Sequence, residues 1–203
     1  MAFIDVIKAK AKADKKRIVL PEGMDRRIWE AAVEIVKDDI ADLTVIATEE
    51  DVKNNTEGLN LAGINIIDPV RSDKLEKYTA DLAELRRMKG MTIDEARELL
   101  TTDYVYYACM MLRENEADGV VSGACHSTAN TLRPALQLVK AKPGVKLVSA
   151  FFIMVVPDCE YGANGTFLFI LTSDPAPPGS DPNRRSLYES KRLPAGPSSV
   201  RIR

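Results

Sequence analysis

The chain has 203 residues, of which 45% are hydrophobic and 29% charged, with a formal net charge of −2. These are the values of a soluble globular protein with one good core, or one large and one small domain. Near-neutral charge excludes whole-molecule attraction to nucleic acid or an anionic membrane, and no apolar run reaches the roughly 20 residues that cross a bilayer.

From the N-terminus, "MAFIDVIKAKAKADKKR" is basic, but Asp5 interrupts its apolar part and no small-residue cleavage site follows. It reads as an amphipathic helix rather than a signal peptide. Short β-branched runs then predict strands at 17–21, 43–48, 64–68, 119–123 and 146–156. Helical spacing fills the gaps. Residues 25–38 put Ile28, Ala32, Ile35 and Val36 on one face. Residues 73–88 repeat Leu75, Tyr78, Leu82, Leu85 and Met88 at steps of three and four. Thr92 followed by Glu95 is a capping-box pattern, and 103–117 carries Val105, Cys109 and Leu112 on one stripe. The strandless stretch 73–117 suggests a sub-bundle beside the sheet.

Strand, helix, strand in succession means parallel strands joined by helical crossovers. The fold class is therefore α/β, a mostly parallel sheet with helices on both faces, since the strands read as continuous apolar runs. The run from Leu147, "LVSAFFIMVVP", is expected to be a buried strand. Asn164-Gly165 then marks a hairpin turn into "TFLFI".

Composition changes at residue 171. The last 33 residues hold 6 of the chain's 11 prolines and six Lys/Arg against three Asp/Glu. Their apolar residues follow neither sheet nor helix period, so 171–203 is expected to be a disordered tail, unrelated to the domain formed by 1–170.

Chemistry concentrates in "GVVSGACHSTANTLRPALQLV". A strand ends, Ser122 to Thr128 form a small polar loop, and a helix begins with Pro134 expected in its first turn. Carboxyl ends of parallel strands are where α/β proteins bind ligands, and free N–H groups beside hydroxyls suit a phosphate. Arg133 could add a guanidinium fork. An equally simple reading is a helix capped by Ser127 or Thr128, with Arg133 on the surface. His126 is the one histidine, and no Ser-His-Asp set or metal cluster assembles around it from sequence; it reads as a packed or solvated residue. Arg86, Arg87 and Lys89 read from spacing as cations favoured at a helix C-terminus. Three cysteines (Cys109, Cys125, Cys159) without a CxxC pair argue against a disulfide framework or a zinc site and fit a reducing cytoplasm. Cys159 reads as a small buried residue.

Taken together, "RIVLPEGMDRR", "DYVYYACMML", "EADGVVSGACHSTANTLRPALQ" and "SAFFIMVVPDCEYGANGTFLF" resemble the phosphate acetyl/butyryl transferases, from near residue 3 to Phe169. The resemblance implies a fold similar to the isocitrate and isopropylmalate dehydrogenases, two α/β domains with a cleft between them, and a homodimer. It implies reversible acyl transfer, acetyl-CoA plus phosphate giving CoA plus acetyl phosphate, by direct attack and without an acyl-enzyme. No cofactor, metal, nucleic acid or membrane is involved; coenzyme A is a substrate.

By position, the resemblance assigns Arg86 and Arg133 to the phosphorylated substrates, reversing the reading of Arg86 from spacing. It makes Ser122, Ser127, Thr128 and Thr131 cleft lining and Cys159 a near-site bystander. The family's Ser-Arg motif and aspartate base fall in a further stretch that this text does not contain, since the match is expected to stop at Phe169. Negligible turnover and an exposed sheet edge are the expectations for such a chain. Two other readings are a butyryl-preferring relative and a non-enzymatic module that binds a partner or CoA.

Overall fold

The computed structural model of the chain describes residues 3–141, 150–156 and 166–171. They fall into two units, one from Ile4 to Lys140 and one containing the residues from Ala141 onward.

The first unit is built on a parallel sheet of β1 (Arg17–Leu20), β2 (Asp42–Ile46), β3 (Asn65–Ile67) and β4 (Gly119–Val120), in the order β3-β2-β1-β4. Every neighbouring pair is parallel. The chain thus moves outward from β1 through β2 to β3, then returns to the other side of β1. The reversal lies between β1 and β4. In open parallel sheets that switch point, at the carboxyl ends of the strands, is where a crevice opens.

Side-chain alternation splits the core. Leu20, Leu43, Val45 and Ala47 pack with Trp29 and Ala32 of α2 (Arg26–Lys37). Val19 and Ile46 join the other cluster, with Leu75, Tyr78 and Leu82 of α4 (Leu75–Arg86), Ala96 and Leu100 of α5 (Ile93–Thr102) and most of α6 (Tyr104–Arg113). Residues one apart on a strand point to opposite faces, so both faces are covered, as the apolar runs predict. Helix α6 is buried from Tyr104 to Met111, all round its circumference, because it lies inside the helical layer and not at its surface. The expected stripe of Val105, Cys109 and Leu112 is therefore only part of what it buries.

Two capping boxes start helices. Thr92 and Glu95 exchange hydrogen bonds at the head of α5, as the spacing predicts. Thr48 and Asp51 do the same at α3 (Glu49–Asn55), where the Tyr104 hydroxyl also donates to Asp51 at 2.9 Å. Helix α1 (Phe3–Ala13) forms as expected and buries none of its residues.

Four expectations are corrected. Strand β4 is two residues long, not five, because the chain leaves the sheet at Val121 to form the loop described below. Met88 is 89% exposed: α4 ends at Arg86 and a 3-10 turn, Arg87–Lys89, rotates the following side chains off the apolar face. Pro134 is not in a first turn. Helix α7 begins at Thr128 with Ser127 as its cap, so Pro134 is its last residue. A proline cannot donate to the preceding turn, and the helix widens to a π-turn over Ala135–Val139.

The fourth correction concerns the second unit. Strand β5 (Ala150–Val155) pairs antiparallel with β6 (Thr166–Leu171) as a separate two-stranded sheet. Ile153 and Met154 are each 43% exposed, so at these positions the apolar run is not buried as its composition predicts. The antiparallel pairing agrees with the expected hairpin, while Asn164-Gly165 lies outside the described residues. Strand β6 includes Ile170 and Leu171, so the ordered pattern runs past Phe169. The tail expected from 171 lies outside the described residues beyond Leu171.

Candidate active site

The loop after β1, Pro21-Glu22-Gly23, and the loop after β4, Ser122 to Ser127, meet at the switch point. Glu22 is fully buried. One carboxylate oxygen accepts from the backbone N–H groups of Gly123 and Ala124, each at 2.9 Å. The other accepts from the N–H groups of Cys125 at 2.9 Å and His126 at 3.0 Å. His126 Nδ1 lies 2.8 Å from the same oxygen. Four successive main-chain donors converge on one anion because Gly123 takes φ 121°, a conformation open to glycine.

The loop is thus the anion-binding concavity the sequence suggests, but its anion is internal. The N–H groups of Gly123 to His126 are donated to Glu22, and they precede the helix-start N–H groups that the sequence offers to a phosphate. Burial alone would raise the Glu22 carboxyl; the N–H groups of Cys125, Ala124 and Gly123 with the His126 ring outweigh it and hold the group down at about 2.

Neighbouring groups fix the same corner. Gly23 accepts the Trp29 indole N–H at 2.7 Å on its carbonyl and donates its own N–H to Ile46. A Cβ at Gly23 would stand 2.5 Å from the Ala47 Cβ, so only glycine lets this loop cross the end of β2. Arg27 pairs with Asp25 and donates to the Ala124 carbonyl at 3.0 Å.

Cys125 offers its thiol to Glu22 at 3.5 Å. Burial and the Glu22 charge push that thiol up to about 11, which makes it a poor nucleophile. Glu22, Cys125 and His126 bring three donor atoms within 4.8 Å of one another. Both Glu22 oxygens, however, face hydrogen-bond donors, which repel a cation, so the cluster fits a hydrogen-bonded lock better than a metal centre.

The predicted site residues divide. Ser127 caps α7, its hydroxyl accepting from Asn130 N–H at 3.2 Å, and Thr131 donates to the Ser127 carbonyl. For these two hydroxyls the capped-helix alternative is what the geometry contains. Thr128 is exposed in the first turn of α7. The Ser122 hydroxyl oxygen is buried without a hydrogen-bond partner among the described residues. Arg133 is exposed on α7, and Arg86 is half-buried at the end of α4 with its Nε buried and without a hydrogen-bond partner among the described residues.

Both arginines act on one phenol. Burial and Asp103 push Tyr106 up, while Arg133 and Arg86 pull it back. The Tyr106 hydroxyl donates to Gln137 at 3.0 Å, on the π-turn that follows Arg133. Arg86 also lines a hollow of about 460 Å³ with Lys89, Met91, Glu95, Leu99 and Thr102, a wall that does not include Arg133. Cys159 lies outside the described residues.

Sequence reasoning missed Glu22. A charged residue between Pro21 and Gly23, just after a buried strand, was the available signal; nothing local said that its partner lay a hundred residues away.

A sequence profile of the family described as phosphate acetyl/butaryl transferase matches residues 2–172, past the expected end at Phe169. A phosphate acetyltransferase of Thermoanaerobacterium thermosaccharolyticum is 50% identical over 169 residues, covering 83% of this chain and 51% of the relative. One from Acetivibrio thermocellus is 52% identical with the same coverage. Among solved structures, a phosphotransacetylase from Streptococcus pyogenes superposes with a TM-score of 0.72 at 30% identity, over 83% of this chain and 51% of that one. The EutD phosphotransacetylase from Staphylococcus aureus gives 0.70 at 34% identity, over 81% and 48%. The chain spans about half the length of the curated relatives it matches.

Proposed function

The chain belongs to the phosphate acetyl/butaryl transferase family, and from that premise we propose that it forms the phosphate-holding side of a cleft for reversible acetyl transfer between coenzyme A and phosphate. The substrates are coenzyme A and acetyl phosphate in one direction, acetyl-CoA and phosphate in the other. Coenzyme A enters as substrate, and no bound cofactor is required. The family match favours an enzyme over a partner-binding module, and the named relatives favour acetyl over butyryl transfer.

The observation that carries this reading is a pair of guanidinium groups, Arg86 with its Nε buried and without a hydrogen-bond partner among the described residues and Arg133 exposed on α7, whose charges both bear on Tyr106. A transferring phosphate carries charge on several oxygens. The guanidinium groups of Arg86, at the end of α4, and Arg133, on α7, offer planar donor pairs that match it. The resemblance adds Ser122, Thr128 and Thr131 to the substrate-binding set, and the near-site place it gives Cys159 lies outside the described residues.

No helix among the described residues is long and apolar enough to cross a membrane. A cytoplasmic protein that pairs with a second copy is the setting this reading takes. Because the chain covers about half of its relatives, binding is the decisive readout. Calorimetric titration of acetyl phosphate, and separately of coenzyme A, into the chain is expected to give saturable binding of both. Saturable binding of neither overturns the proposal.

A further inference from the structure

Arg133 sits where α7 is poorly held by its own main chain. The next residue, Pro134, has no N–H to give back to the preceding turn. The chain then widens into the π-turn Ala135–Val139, closed by the Lys140 N–H donating to the Ala135 carbonyl. Arg133 is exposed, so burial of its own side chain does not fix it either.

Two side chains of α6 supply the missing hold. The Tyr106 hydroxyl donates to the Gln137 side-chain carbonyl at 3.0 Å, and Arg113 Nη1 donates to the Leu138 main-chain carbonyl at 3.1 Å. Helix α6 is buried from Tyr104 to Met111, which makes it a firm base for both bonds. Gln137 follows Arg133 by about one helical turn, so the two share a side of the helix. Burial, then Asp103, pushes the Tyr106 phenol up, so it keeps its proton and stays a donor at neutral pH. For packing alone a phenylalanine would serve at this position; the hydroxyl adds the bond to Gln137.

Resting on the acyl-transfer reading above, we propose that Tyr106, acting through Gln137, is a positioning residue that sets Arg133 for the phosphate group of acetyl phosphate. Tyr106 touches no substrate in this scheme. It fixes the turn from which the guanidinium extends, and so reduces the freedom that Arg133 loses on binding.

Calorimetric titration of acetyl phosphate into a double-mutant set tests this. Tyr106→Phe keeps the ring and removes the hydroxyl, and is expected to weaken binding about threefold to tenfold. In an Arg133→Ala background the same substitution is expected to change affinity by less than about twofold, because the group it positions is gone. A general loosening of the fold would weaken both backgrounds alike. An equal loss in both therefore overturns the proposal, as does wild-type affinity in Tyr106→Phe. Gln137→Leu removes the half-buried acceptor and is expected to reproduce the loss. Urea unfolding read through Trp29 reports whether each variant folds. Wild-type affinity in Gln137→Leu overturns the proposal even where Tyr106→Phe does not fold. The two levels separate in the same titrations. A wild-type chain that does not bind, or one that binds no better than Arg133→Ala, overturns the phosphate-holding reading and the positioning role with it. Binding weakened by Arg133→Ala but not by Tyr106→Phe overturns the positioning role alone.

Discussion

Two places in the Ile4–Lys140 unit gather positive potential, and they are used in opposite ways. At the Glu22 corner four backbone N–H groups surround a carboxylate that belongs to the protein, and the anion is buried. At the Tyr106 corner the charges of Arg86 and Arg133 bear on a phenol, and among the described residues neither arginine is ion-paired, although Glu95 and Glu98 line the same hollow as Arg86. The first corner is complete and structural. On the proposed function, the second keeps its charge for a ligand. Preorganised donors that already hold an internal anion cannot serve an external one without losing it, whereas unneutralised arginines beside a rigid loop can.

The comparison breaks most visibly at Glu22. Glu22→Ala leaves four main-chain donors and a ring N–H without their acceptor, and is expected to cost about 3–5 kcal/mol. Urea unfolding monitored through Trp29 measures it. A loss below about 1 kcal/mol would mean the loop does not need its anion.

Acid tests the same corner without mutation. Glu22 is held at about 2 in the folded chain against 4.5 when free, so its contribution is full above the higher value and disappears as pH falls toward the lower one. The expected loss across that window is about 3 kcal/mol. A Glu22→Gln chain, if folded, should lack this component. Equal acid sensitivity in both would place the titrating group elsewhere.

A smaller effect is expected at Gly23, where an added methyl meets Ala47 and the Ile46 carbonyl. Gly23→Ala should cost about 1–3 kcal/mol by overpacking, again read by urea unfolding. The other corner should be nearly silent in such measurements. Arg133→Ala is exposed and is expected to change stability by no more than about 0.5 kcal/mol.

Periodicity made the sheet and most helices legible, because alternation along β1 and β2 reports two covered faces directly. Strand β5 was misread for the same reason: "AFFIMV" is apolar throughout, and composition does not say whether a partner layer covers it. Pro134 was misplaced because the helix start depends on which of Ser127 and later residues caps it. Arg86 and Arg133 enter the proposed site through family resemblance alone, while Tyr106, on which both charges bear, carries no local signal because α6 hides it among eight buried residues. Glu22 was out of reach of local reasoning. Its partners lie about a hundred positions further on, and only the strand order β3-β2-β1-β4 brings them beside it.

The leftover charge at the Tyr106 corner is tested most directly by titrating acetyl phosphate into the wild-type chain, Arg86→Ala and Arg133→Ala. Saturable binding that either substitution weakens about tenfold or more, with unfolding midpoints of the Arg133 variant unchanged, is the expected result. Wild-type affinity retained in both variants would contradict it.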